Sequence, residues 1–125
     1  MDSKQILKLS ALELGKAIKE KKTTSEEATK AYLDAIKALD GKLNSYITVR
    51  EEDALKDAKI IDEKIALGEL TGAFAGDPVA VKDNMCTEGV LTTCGSNMLH
   101  NFVPPYDATA VRKLKEEGMV IIGKT

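Results

Sequence analysis

The sequence predicts an α/β fold, with helices across residues 1–68 and a strand–loop–helix–strand (βαβ) unit across residues 69–125. Three observations carry this. Two capping boxes, Ser10-Ala11-Leu12-Glu13 and Thr24-Ser25-Glu26-Glu27, stand at the head of helix-like runs. Two short apolar runs, residues 78–81 and 119–122, have the length and composition of buried strands. Between them residues 107–117 read as a helix, so the two strands are parallel neighbours joined by a right-handed crossover.

The first helix is expected from Ser10 to about Lys21. The second starts behind Thr24, carries Ala28, Tyr32, Ala35, Ile36 and Leu39 at helical spacing, and stops near Asp40-Gly41, where glycine tolerates a left-handed turn. Residues 45–49 alternate and are β-branched enough for a short strand. A third helix is expected over 51–67, with Ala54, Ala58, Ile61 and Ile65 on one face and Gly68 closing it. Pro78 can start the next strand because an amide hydrogen is dispensable there. Lys82-Asp83-Asn84 ends that strand in polar groups. Residues 85–106 have little periodicity, and loops of that length in a compact domain are usually functional or disordered. Asp107 is expected to cap the last helix, with Val111 and Leu114 inward and Gly118 ending it.

Lys and Arg total 18 against 20 Asp and Glu, a net charge of -2, so no global field attracts nucleic acid or an anionic membrane. With no Trp, the core falls to Ala, Ile, Leu and Val. The polar start, Met1-Asp2-Ser3-Lys4, lacks the apolar run of a signal peptide, and no stretch approaches the roughly 18 apolar residues of a membrane span. A cytoplasmic protein is expected, with Cys86 and Cys94 as reduced thiols, although their spacing permits a disulfide. Cys86, Cys94 and His100 lack tight metal-ligand spacing, so no metal is expected.

Residues 118–125, Gly-Met-Val-Ile-Ile-Gly-Lys-Thr, match the phosphate-loop pattern G-x-x-x-x-G-K-T letter for letter. That chemistry needs a loop between a strand and a following helix, so that backbone amides face the phosphates. Here a helix precedes the first Gly, and the intervening residues are large and apolar. The expected reading is a helix-ending Gly, a core strand and a loop, with no nucleotide site.

Lys82 is the candidate catalytic residue. The carboxyl ends of parallel strands are where α/β sheets bind ligands. A lysine there, if partly desolvated, gains access to its neutral form and can transfer protons. The run Gly76-Asp77-Pro78-Val79-Ala80-Val81-Lys82-Asp83-Asn84 resembles the "GIPVAVKDN" segment of the amidase-signature family. The likeness continues through Leu91-Thr92-Thr93-Cys94-Gly95-Ser96, Asn101-Phe102-Val103-Pro104-Pro105-Tyr106-Asp107-Ala108-Thr109 and the 113–125 block. These later blocks are similar to those of the family's glutamine-dependent amidotransferases.

The resemblance implies an α/β/α sandwich with a central mixed sheet, of which these residues form a part. It implies a Ser–Ser–Lys mechanism in which Lys82 is the general base and acid, one serine relays the proton and another attacks the amide carbon of glutamine. Released ammonia would pass to a partner protein that amidates glutamyl-tRNA(Gln) with ATP, so this chain itself needs no cofactor and no direct nucleic-acid contact. The serines belong to a Gly/Ser-rich segment that these residues do not contain; Ser96 is not that nucleophile and reads as a loop hydrogen-bonding group. A base without a nucleophile is not a hydrolase, so these residues alone are expected to be inactive. The substrate-binding residues are expected beyond Thr125. An interaction module derived from an amidase is the alternative.

Two strands alone do not make a stable sheet. A larger parent is therefore expected, and with it unpaired edges near residues 79–81 and 120–122 that favour a homo-oligomer. Asp77 stands where an apolar residue is usual in the motif, and Met119 where a small one is. An unpaired buried carboxylate is costly, so Asp77 is expected to be exposed or paired, solubilising an uncovered surface. Met119 is expected to fill a gap in the core.

Overall fold

In the computed structural model, which describes all residues 1–125, the elements follow the expected order with one addition at the start. Helix α1 (Ser3–Ile6) is a single turn closed by a capping box from Asp2, and it buries only Ile6. One buried position gives no period, which is why the sequence pattern does not reveal it. Helix α2 (Ala11–Lys19) and helix α3 (Ser25–Leu43) both begin in the predicted capping boxes, at Ser10 and Thr24.

Helix α3 runs through Gly41 and stops at Asn44, which takes the left-handed conformation with φ 52°. The expected stop at Asp40-Gly41 is thus one turn early. Asp40 explains the difference: its carboxylate accepts the Ser45 amide at 2.7 Å and its carbonyl accepts the Asn44 amide at 2.7 Å. That captures the exit of the chain, and Asn supplies the left-handed residue that Gly41 does not need to.

Strand β1 (Thr48–Val49), helix α4 (Glu51–Ala66), strand β2 (Pro78–Val81), helix α5 (Thr109–Glu116) and strand β3 (Val120–Lys124) complete the fold, with one 3₁₀ turn at Asn97–Leu99 in the long loop. Helix α5 is not capped by Asp107 as expected. Ala108 is the N-cap and makes no side-chain bond. The Asp107 carboxylate is drawn elsewhere, to the Glu88 amide at 2.8 Å and the Lys115 ammonium at 2.8 Å.

The sheet has three strands in the order β1-β3-β2. β3 is central, parallel to β2 and antiparallel to β1, so the short strand supplies the third member that the βαβ unit by itself lacks. Every residue of β3 is buried. Successive side chains point to opposite faces: Val120 and Ile122 pack on Ala54 and Ala58 of α4, while Ile121 packs with Val81 and with Val111 of α5. Helices therefore cover both faces. A separate cluster of Ile6, Leu14, Ile18, Ala28 and Ala31 joins the N-terminal helices to one another.

β1 reaches β3 across Gly123. A Cβ there would collide with the Thr48 carbonyl oxygen and come within 2.9 Å of the Tyr46 ring. Overpacking of this kind costs about 1–3 kcal/mol. Gly123→Ala is therefore expected to lower the unfolding free energy from urea titration by that amount, with the exchange of the Arg50 amide, which donates to the Ile122 carbonyl at 2.9 Å, accelerated beyond the global loss.

A lysine pair at the carboxyl edge of the parallel strands

β2 and β3 end together, with Val81 registered against Lys124. The ladder continues one step beyond: the Thr125 amide donates to the Val81 carbonyl at 3.0 Å, and the Asp83 amide donates to the Thr125 carbonyl at 2.7 Å. Lys82 is bracketed by these two bonds, and its own carbonyl accepts the Met85 amide at 3.0 Å. The sequence places Lys82 at a strand end and the structure agrees. These residues do not themselves supply the desolvation that would give Lys82 access to its neutral form: its side chain is exposed.

The buried lysine is Lys124, which in the sequence stands out only as part of the rejected phosphate-loop pattern. Its side chain is fully buried. The ammonium donates to the Met85 carbonyl at 2.7 Å and to the hydroxyls of Thr87 and Thr92 at 2.9 Å each. All three ammonium protons are thereby used. The Asp83 carboxylate lies 3.9 Å away and is itself buried; its other oxygen accepts the Thr93 amide at 3.0 Å and the Thr93 hydroxyl. Desolvation pulls the Lys124 pKa below the ordinary lysine value, and the Asp83 carboxylate works against that pull. The signal that could have found it is a lysine placed directly after an apolar strand, in a chain whose long loop is rich in threonine.

The remaining candidates separate from this site or support it. Gly118, with φ 79°, closes α5, and Val120–Lys124 is strand, so residues 118–125 present no phosphate cradle. Cys86 and Cys94 are both free thiols; Cys86 meets the Tyr106 hydroxyl at 3.4 Å, and Cys94 is exposed. Ser96 accepts the Met98 amide at 3.2 Å and caps the 3₁₀ turn. His100 is exposed and contacts the Asn97 carbonyl, and no group of three or more His, Cys, Asp or Glu side chains gathers as a metal site.

Asp77 overturns its expectation. It is buried, and neither carboxylate oxygen has a hydrogen-bond partner. Its backbone is committed: the amide donates to Phe74 at 3.1 Å and the carbonyl accepts Val120 at 2.9 Å. With the backbone held at the head of β2, the side chain has nowhere to turn for water, and it cannot solubilise a surface. Burial pushes its pKa up to about 7, and its charge in turn raises that of Tyr32, which burial raises more. Met119 is half-buried and lines an open groove of about 320 Å³ with Arg50, Ile60, Ile61 and Lys64, so it borders a gap and does not fill one.

A carboxyl whose folded pKa is raised favours the fold only while both states hold the proton. Above the unfolded value, near 3.8, the unfolded chain ionises first, and stability falls until pH passes about 7. Asp77→Asn is therefore expected to flatten the Asp77-dependent decline between pH 5 and 8. It should stabilise the chain at pH 8 by roughly 1–3 kcal/mol, measured as the difference from the parent chain in urea titrations at both pH values.

Comparison with known proteins places the chain in a family. The family model described as Amidase matches residues 27–125. The chain is 56% identical over 120 residues to the A-type component of the glutamyl-tRNA(Gln) amidotransferase of Agathobacter rectalis, covering 96% of this chain and 24% of that protein. It is 52% identical over 120 residues to the second A-type component of the same enzyme in Clostridium acetobutylicum, covering 96% and 25%. The chain thus spans about a quarter of the length of the curated relatives it matches. Among solved structures, the native peptide amidase of Stenotrophomonas maltophilia superposes with a TM-score of 0.89 at 35% identity, over 94% of this chain and 24% of that one. Since the family model takes in both parallel strands, the long loop between them and the helices behind the sheet, the chain belongs to the amidase family.

Proposed function

We propose that this chain is the part of a glutamine-dependent amidotransferase that carries its proton-transferring lysine, Lys82. The observation that carries the reading is the location of Lys82: an exposed amine at the carboxyl end of β2, its peptide held on both sides by Thr125. Relatives at 52–56% identity bear the name of the amidotransferase that serves glutamyl-tRNA(Gln). Lys82 would take a proton through one serine while another attacks the glutamine amide, then return it to the departing ammonia. Both serines are to be supplied by residues outside these 125. ATP and the tRNA would act on a partner protein, in keeping with a net charge of -2. A cytoplasmic setting is part of the same proposal; no helix of the chain is long and apolar enough to cross a membrane.

The test is ammonia release from glutamine by this chain alone and with the remaining three quarters of a full-length relative supplied as a second polypeptide. The chain alone is expected to be silent, the complemented pair active. Lys82→Ala should reduce that activity by about 10²–10⁴-fold, the usual worth of a general acid–base group. Activity from the chain alone would direct attention to Cys86, Cys94 or Ser96. A complemented pair indifferent to Lys82→Ala would favour an interaction module.

As an isolated chain it is expected to self-associate. β2 pairs with β3 along one edge only and Ala80 is exposed, so the other edge offers unpaired backbone groups. Light scattering should report a homo-oligomer whose β2 amides exchange more slowly as concentration rises; a dilute monomer with fully protected amides would contradict this.

A further inference from the structure

We propose that Lys124 is a positioning residue for Lys82, acting through the peptide from which Lys82 projects. The proposal rests on the reading of Lys82 as the proton-transferring group. It follows a path of hydrogen bonds. The Lys82 carbonyl is held by the Met85 amide, and the Met85 carbonyl is held by the Lys124 ammonium at 2.7 Å. The residue after Lys82 is held from the same centre. Asp83 directs one carboxylate oxygen toward Lys124 at 3.9 Å, while the other binds the amide and hydroxyl of Thr93, and its carbonyl accepts the Cys94 amide at 3.0 Å. The near oxygen of Asp83 has no hydrogen bond of its own, so its electrostatic partner is the ammonium.

The turn that sets the direction of Lys82 is thus closed by one buried cation. A neutral side chain of similar length would leave two threonine oxygens without the ammonium donor, the Met85 carbonyl with only the Thr87 hydroxyl at 3.2 Å, and Asp83 without a counter-charge. The turn would then relax by fractions of an ångström. Displacements of about 1 Å at a reacting group cost on the order of 100-fold in rate. Backbone bonds from Thr125 would keep β2 and β3 paired, so the sheet survives while the aim of Lys82 is lost.

The experiment compares Lys124→Met and Lys124→Arg with Lys82→Ala. In this chain, hydrogen exchange is followed at the Met85 and Cys94 amides and, as a control, in α2 and α3. In the complemented pair, glutamine hydrolysis is followed against pH. Lys124→Met is expected to speed exchange at Met85 and Cys94 by at least about tenfold with α2 and α3 unchanged. It should also lower kcat by about 10–100-fold and displace the pH profile. Lys124→Arg should fail to restore these, since a planar guanidinium does not reproduce three donors around one nitrogen. If Lys124→Met does not fold, Thr87→Val removes one acceptor of the ammonium together with the hydroxyl that donates to the Met85 carbonyl at 3.2 Å, and should give the same local exchange with a smaller loss of rate. Unchanged exchange at Met85 and an unchanged pH profile, with Lys82→Ala inactive, would overturn the positioning role only. A fully active Lys82→Ala would overturn the reading on which it rests.

Discussion

Lys124 places an ammonium group where water does not reach, and much of the loop after β2 is arranged around it. An isolated buried cation costs several kcal/mol, and it persists only when donors and counter-charge are both met. The Met85 carbonyl and the two threonine hydroxyls take its protons, and Asp83 supplies the opposing charge. Removing one partner of such a set is generally far more damaging than replacing the whole set by apolar groups. The long segment between β2 and α5, which has almost no regular structure, is therefore ordered by electrostatics at its base and not by a core of its own.

That base is possible because β3 is central and buried throughout its length. Val120 and Ile122 face α4 while Ile121 faces α5, so the strand is held from both sides and its end is a rigid place to mount a charge. β2 is held to it by parallel pairing that shifts register between Val79 and Ala80 and still brings Val81 level with Lys124. The two lysines then emerge at one edge with opposite fates. Lys124 is turned into the loop and consumed by hydrogen bonds; Lys82 is left exposed at the rim. In the proposed reading, one holds the backbone and the other meets the substrate.

Asp77 shows the opposite balance. It is another buried charge-bearing group, placed just ahead of β2, but no donor faces it, and it answers by holding its proton up to about pH 7. The comparison between Asp77 and Lys124 isolates what the surroundings contribute: similar burial is met by three acceptors and a counter-charge at Lys124 and by no partner at Asp77. The helical layer tolerates the neutral carboxyl because its ties to β2 are made by other groups, among them the Ser25 hydroxyl on the Gly76 carbonyl at 2.8 Å.

Local chemistry was legible in the sequence wherever the cause lies within a few residues. The capping boxes at Ser10 and Thr24, the left-handed Gly68 and Gly118, the proline-led strand β2 and the apolar run of β3 all act through their immediate neighbours, and all were readable. The position of Lys82 at a strand end was readable for the same reason. Its exposure was not, since exposure depends on what packs over the sheet. The long-range facts belong to the tertiary structure alone. Asp62 of α4 caps the start of α3 through the amides of Ser25 and Glu26, some 37 residues away in sequence. Asp107 leaves the cap of α5 to hold the Glu88 amide, 19 residues away, while Lys115 of that same helix pairs with its carboxylate. The burial of Asp77 and the partners of Lys124 likewise arise only when distant segments meet. Sequence by itself determined the regular elements from α2 onward, their order and the strand end that bears Lys82; which charges are buried, and whether they find partners there, was decided by packing, because solvent exclusion is a property of the assembled fold and not of any local stretch of chain.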